Sequence, residues 1–301
     1  ELFLLMLAVF FVWKIFDQNV AETRIAVILP ESGDKRWDAL IKGMKQFAAE
    51  NNVHMIICNT DEIDGPEAER EFIKEQKDND IDGFILYPAS GRETENMLKK
   101  ECGNKPYLLM ADSLAVKEGE AASPAIQPDY REIGRSLGEQ LRTKERKIGI
   151  IADWKMSEAV QSEISGLKEA LEGSGSEIHW CIYRRKEQNI VERIGADNLV
   201  VLDAGVLEEL GEQAENGKYM GAELYGVGYS LRTIALLDQG NIQGLIVPDG
   251  YEIGYRSVEE MVRKIEHKFY KMQGYTTEYK VFQKDSFSMD DDLERFLYSY
   301  E

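Results

Sequence analysis

Residues Arg24–Ser90 read RIAVILPESGDKRWDALIKGMKQFAAENNVHMIICNTDEIDGPEAEREFIKEQKDNDIDGFILYPAS, and the architecture follows from this stretch. Arg24–Leu29 (RIAVIL) is a short apolar run, the pattern of a strand buried on both faces. Across Lys35–Asn51 the residues Trp37, Leu40, Ile41, Met44, Phe47 and Ala48 recur at spacings of three and four, which predicts a helix with one apolar face. His54–Cys58 (HMIIC) predicts a second strand. Pro66 suits the first turn of a helix over Glu67–Lys77, where its missing N–H costs nothing. Gly83–Tyr87 (GFILY) predicts a third strand.

Outward from that stretch the alternation continues. A short helix near Glu93–Lys100 and a strand at Tyr107–Met110 complete a first run. The pattern then restarts. Ile133, Leu137 and Leu141 mark a helix, Lys147–Ile151 a strand, and Val160, Ile164, Leu167 and Leu171 another helix. Strands follow at Glu177–Tyr183, Leu199–Asp203, Leu224–Val227 and Gly244–Val247, then a long helix at Ile253–Lys271. Strands alternating with helices make parallel βαβ units, and two such runs predict two doubly wound α/β lobes.

Composition narrows the partners. The 301 residues carry a formal net charge of −19, a field that repels phosphate backbones and argues against nucleic acid. The three cysteines (Cys58, Cys102, Cys181) and three histidines (His54, His179, His267) are scattered, with no metal-ligand spacing, and no cofactor is expected. Leu2–Trp13 is an unbroken apolar run, shorter than the roughly 20 residues of a spanning helix. It reads as the h-region of a signal peptide, an uncleaved membrane anchor or a buried core helix. No A-x-A site follows closely and a polar connector (residues 17–23) comes after it, so an anchor over residues 1–16 is the expectation.

In doubly wound sheets ligands sit beyond the carboxyl ends of the strands. Those positions hold Glu31, Asp34, Arg36 and Trp37 after the first strand, then Tyr87, Pro88 and Ser90, then Asp112 and Ser113. In the second run they hold Asp153 and Trp154, Asp203, Tyr229 and Ser230, and Asp249. Carboxylates accept hydrogen bonds from hydroxyl or ammonium groups, and aromatic faces pack on sugar rings or cations. Each residue alone also reads as a loop residue or helix cap, Asp34 as the cap of the helix at Lys35.

Taken together, these residues resemble the type I periplasmic binding proteins of the ribose- and galactose-binding class, a fold shared with the effector domains of lactose-repressor-type regulators. Ile81–Pro88 (IDGFILYP) is the most specific part of the resemblance, joined by Asp112, Pro128–Gly138, Gly226–Tyr229 (GVGY) and the tail Val281–Phe296. The resemblance implies two Rossmann-like lobes joined by three crossovers, residues 24–127 plus 251–275 and residues 128–250 plus 276–301, closing by a hinge on a small ligand. It implies a binding protein, not an enzyme, serving an ABC permease or presenting its closed form to a membrane sensor kinase, on the extracytoplasmic side of a membrane. A clamp that has lost its small ligand and binds a protein is a third role.

Several positions depart from the family's sugar binders. Asp34 stands where they carry Asn, Arg36-Trp37 replaces an aromatic pair, and Ser113 replaces the Arg after Asp112. Gln161 falls near an expected Arg, Asp203 at an Asn, Ser230 at an Asp, and Pro248 with Asp249 near a Gln. The replacements lean acidic, which points to a ligand with amino groups or many hydroxyls. The expected ligand residues are Asp34, Trp37, Asp112, Asp203 and Asp249, then Glu31, Arg36, Tyr87, Trp154, Gln161, Tyr183 and Ser230. A DNA-binding regulator would need a helix-turn-helix where the apolar run stands. Ser32–Lys35 matches SxxK without its companion motifs, and Gly226-Val227-Gly228 lacks the third glycine of a dinucleotide fingerprint.

Overall fold

The computed structural model describes Met6 and residues 23–115, 121–142, 145–184, 195–214 and 221–286. The expected anchor, apart from Met6, and residues 287–296 of the matched tail lie outside these residues. Among the described residues no helix is long and apolar enough to cross a membrane.

The first sheet is built from β1 (Thr23–Ile28), β2 (Val53–Ile57), β3 (Gly83–Leu86), β4 (Tyr107–Met110), β5 (Ala125–Pro128) and β11 (Tyr275–Thr277). Its order is β11-β5-β4-β3-β1-β2, parallel throughout. The second sheet holds β6 (Lys147–Asp153), β7 (Glu177–Arg184), β8 (Asn198–Val201), β9 (Glu223–Val227), β10 (Gly244–Pro248) and β12 (Tyr279–Gln283). It repeats the first position for position, β12-β10-β9-β8-β6-β7. One strand departs from the parallel expectation: β12 runs antiparallel to β10. It follows β11 after a single residue, with no crossover helix to reverse its direction.

Helices cover both faces of each sheet. The first carries α1 (Asp38–Glu50), α2 (Pro66–Lys77) and α3 (Thr94–Cys102). The second carries α4 (Tyr130–Leu141), α5 (Glu158–Leu171), α6 (Ala204–Ala214) and α7 (Leu231–Gln239). The expected helix from Lys35 begins instead as a 3-10 turn, Lys35–Trp37, because the Asp34 side chain accepts the Arg36 N–H. Ile25–Leu29 are fully buried, as a strand covered on both faces must be.

Among the described residues three passages join the lobes: β5 into α4, β10 into α8 (Gly250–Glu266), and β11 into β12. Each crossing helix packs in the lobe it enters. Ile253, Val258 and Met261 of α8 join Leu40, Met44 and Phe47 of α1 in one apolar cluster. Ile133, Leu137 and Leu141 of α4 join Val160, Ile164 and Leu167 of α5 in another.

Candidate functional site

Both sheets reverse their winding at the same place, between β1 and β3 in one and between β6 and β8 in the other. The loops beyond these strand ends face each other and enclose a cavity of about 130 Å³. It opens into an outer cleft of about 1670 Å³, the two spaces sharing Arg36, Asp153, Lys155, Asp203, Ala204 and Tyr229 on their walls.

On the first lobe the loop after β1 is fastened to the loop after β2, with Glu31 N–H donating to Asp61 C=O at 2.9 Å and Ser32 N–H to Thr60 C=O at 3.2 Å. The 3-10 turn swings Trp37 back, so that its indole N–H donates to the Pro30 carbonyl at 2.9 Å. Its ring meets Tyr87 edge-on at 5.3 Å, and the Arg36 guanidinium stands 4.8 Å over its face. Arg36 is also held by Glu31 at 3.2 Å. Glu31, Ala111 and Met156, all in loops at strand ends or helix starts here, hold positive φ (46°, 57° and 47°), a conformation that costs energy for residues with a side chain.

Asp112 ties the lobes together. It is buried beneath the cavity, and its Oδ1 accepts from Ala159 N–H, at the start of α5 in the other lobe, at 3.1 Å. It also accepts from Ser113 N–H at 2.7 Å, from the Tyr87 hydroxyl at 3.4 Å and from the Ser157 side chain. Burial pushes its carboxyl up to about 6 despite these donors. A second tie comes from Lys155, whose Nζ meets Glu62 at 3.1 Å and donates to the Ile63 carbonyl at 3.2 Å. Asp112→Ala removes the acceptor of a buried N–H, and an expected loss of about 1–3 kcal/mol follows. Thermal unfolding reads the loss, and small-angle scattering should show a larger radius of gyration as the lobes part.

The second lobe contributes Asp153, Lys155, Ser157, Glu163, Asp203 and Tyr229 to the cavity wall. Asp153 accepts from Lys155 N–H at 2.8 Å, and burial raises its carboxyl above the usual range. Asp203 accepts from Val206 N–H at 2.7 Å and caps α6. Tyr130, from the crossing helix α4, donates to the Ala111 carbonyl and hydrogen-bonds Tyr229.

Of the expected ligand residues, Arg36, Trp37, Tyr87 and Asp203 line the cavity. Glu31, Asp34, Trp154 and Ser230 line the outer cleft. Four stand elsewhere. Asp112 lies under the wall, engaged as above. Asp249 caps α8, accepting from Glu252 N–H at 2.9 Å. Gln161 sits on the exposed side of α5 and donates to the Met156 carbonyl. Tyr183 is 41% exposed on the edge strand β7. Sequence reasoning passed over Tyr130, Lys155, Ser157 and Glu163. Glu163 did leave a signal: it lies three residues after Val160 and four before Leu167, a carboxylate on the apolar face of a helix.

The periplasmic binding protein domain model matches residues 25–269. Catabolite control protein A of Staphylococcus aureus is 25% identical over 158 residues, covering 52% of this chain and 46% of the relative, so the chain spans about half the length of the curated relatives it matches. GanP, a glucose-galactose binding protein from Geobacillus stearothermophilus, superposes with a TM-score of 0.76 at 17% identity, over 89% of this chain and 99% of that one. A carbohydrate transporter solute binding protein from Agrobacterium radiobacter, in complex with D-arabinose, superposes with a TM-score of 0.79 at 14% identity, over 93% and 100%. These similarities give the two-lobed fold, and with a family model matching most of its length the chain belongs to the periplasmic binding protein family.

Proposed function

We propose that this chain is an extracytoplasmic solute-binding protein, held at a membrane through residues 1–16, that traps a small polar ligand of the carbohydrate class for an ABC transporter. One observation carries the reading: the cavity at the paired winding reversals combines aromatic faces (Trp37, Tyr87, Tyr130, Tyr229) with carboxylates from the second lobe. Aromatic faces stack on the apolar side of a sugar ring, and carboxylates accept from its hydroxyls. Trp37 is held by its own hydrogen bond, so its orientation is set before a ligand arrives. The polar groups also support binding over catalysis. Ser157 and Asp203 cap helices, and Asp112 accepts from a helix N-terminus. Groups committed in this way position a wall and are poorly placed to transfer protons.

Closure around a ligand adds contacts from the second lobe to those of the first, and that difference drives the open form toward the closed. The test is thermal unfolding of the chain with pentoses, hexoses and inositols, followed by calorimetric titration. A sugar present at 100 times its dissociation constant should stabilise the fold by about 2.7 kcal/mol. Arg36→Ala and Asp203→Asn should weaken that sugar about tenfold or more, since each removes a polar group from the wall. If no sugar on the panel stabilises the wild-type protein, the carbohydrate reading fails.

A further inference from the structure

Glu163 is 3% exposed, lines the cavity, and makes no hydrogen bond or ion pair with a described residue. The groups facing it are Asp112 from the end of β4, Tyr229 from the end of β9, and Tyr130 from α4. None of the three is a cation. The two cations on the cavity wall already have partners, Arg36 at Glu31 (3.2 Å) and Lys155 at Glu62 (3.1 Å). Asp153 and Asp203 add further acid on the same wall. The cavity is therefore short of positive charge, and the most buried acid on its wall, Glu163, has no donor among the described residues. Burial and the neighbouring Asp112 hold the Glu163 carboxyl well above the usual carboxylate range, which favours its protonated form in the free protein.

A wall meant only for neutral hydroxyls needs no buried ionisable acid beside a second one, because an amide or hydroxyl would serve without the cost of desolvating a carboxyl. The rings of Tyr87, Tyr130 and Tyr229 on the cavity wall add an attraction that favours cations over neutral groups. Gly134 and Gly166 bring α4 and α5 so close that a Cβ at either would fall 1.9 or 1.8 Å from a backbone oxygen of the other helix. That contact fixes the stretch of α5 that carries Glu163, whose own carbonyl is the atom Gly134 meets.

We infer that the ligand carries a protonated amino group, which enters among the rings of Tyr87, Tyr130 and Tyr229 and pairs with the carboxylate of Glu163. The inference rests on the solute-binding reading above and narrows its ligand class to aminated sugars. On binding, the Glu163 carboxyl gives its proton to solvent and the resulting carboxylate accepts from the ligand's ammonium group, so one proton is released per ligand bound. Affinity for the amine accordingly rises with pH for as long as the free protein holds the Glu163 proton and the amine keeps its own.

The experiment is calorimetric titration of the full chain with matched pairs: D-glucosamine against D-glucose, D-galactosamine against D-galactose, and D-mannosamine against D-mannose. Each is run in two buffers of different ionisation enthalpy, which yields the protons released. The expected result is one pair in which the amine binds about 10- to 100-fold tighter than its hydroxyl counterpart, with close to one proton released. Glu163→Gln, which copies the neutral acid, should abolish both the preference and the release. The inference is overturned if the hydroxyl member binds equally well or better, or if the amine preference and proton release persist in Glu163→Gln; the solute-binding reading then stands on the hydroxyl sugar. No binding by either member of any pair, with no response to the wider sugar panel, removes both.

Discussion

Glu69→Gln is expected to make the protein more stable than the wild type at pH 8 to 9 while leaving it nearly unchanged at pH 5. Glu69 lies on α2, is fully buried, and uses one carboxyl oxygen to accept from Ala89 N–H at 3.3 Å. Its other oxygen has no hydrogen-bond partner. Burial outweighs the single N–H donor and pushes the carboxyl from 4.5 up to about 8. Between those two values the folded protein holds a proton that the unfolded chain has lost. The folded state is thus favoured below about pH 4.5, and that advantage declines by about 1.4 kcal/mol per pH unit until it is gone near pH 8. The full span is on the order of 4–5 kcal/mol. Glutamine keeps an acceptor for Ala89 and does not titrate, so the slope due to this position disappears. Asp112 and Glu163, raised in the same direction, leave a residual slope in both proteins. Urea unfolding of wild type and variant from pH 5 to 9 measures the difference, and parallel pH profiles would show that Glu69 does not ionise in this range. The position bears on the site as well. Ala89, whose N–H donates to Glu69, is part of the cavity wall.

The sequence carried the winding of both lobes because parallel strands buried on two faces announce themselves as apolar runs. Ile25–Leu29 and Leu199–Val201 are such runs and are buried almost completely. The elements that went unread are those whose burial comes from neighbours. β5 and β11 are four and three residues long and close one edge of the first sheet, with too few side chains to show a period. In α6 and α7 the apolar spacing is present, but α6 is interrupted by Gly205 and Gly211, and α7 spans only nine residues. The site was legible in one respect: the rule that ligands sit beyond the carboxyl ends of strands located both spaces. Which strand-end residues face inward was not legible. Asp112 and Asp249 are alike in sequence, each a carboxylate following a strand. One accepts from a helix in the opposite lobe and the other caps the helix that follows it. That distinction depends on how two lobes distant in sequence approach, which no local pattern encodes. Glu163 stands out as a carboxylate on an apolar helix face, but no local pattern places Asp112, Tyr229 and Tyr130 beside it.

Gly166→Ala is expected to destabilise the protein by about 3 kcal/mol or more, although alanine is the better helix former. Gly166 lies within α5, where glycine is ordinarily worse than alanine by about 1 kcal/mol. Open space at this position would therefore make the substitution stabilising. The space is not open. A Cβ at Gly166 falls 1.8 Å from the carbonyl oxygen of Arg131 and 2.9 Å from the backbone nitrogen of Arg135, both on α4. Neither atom can swing aside as a side chain would, so the helices must separate along their whole contact. Overpacking a core commonly costs about 1–3 kcal/mol, and a clash of backbone with backbone belongs at or beyond the upper end. In thermal unfolding this amounts to a fall of roughly 6–12 °C. Gly134→Ala meets the same crossing from the other side, with its Cβ 1.9 Å from the carbonyl oxygen of Glu163. Once either substitution has parted the helices, the second has less left to disturb, so the double variant should lose clearly less than the sum of the two. Gly33→Ala is the control, since nothing lies within 4 Å of its Cβ and no positive φ opposes a side chain. Its stability should change by no more than about 0.5–1 kcal/mol. Separation of α4 from α5 also moves Ser157, Ala159 and Glu163 relative to Tyr130, so ligand affinity should fall together with stability at Gly134 and Gly166 and remain intact at Gly33. Additive losses, or a fall in stability without a fall in affinity, would mean that the helix crossing does not hold the cavity wall in place.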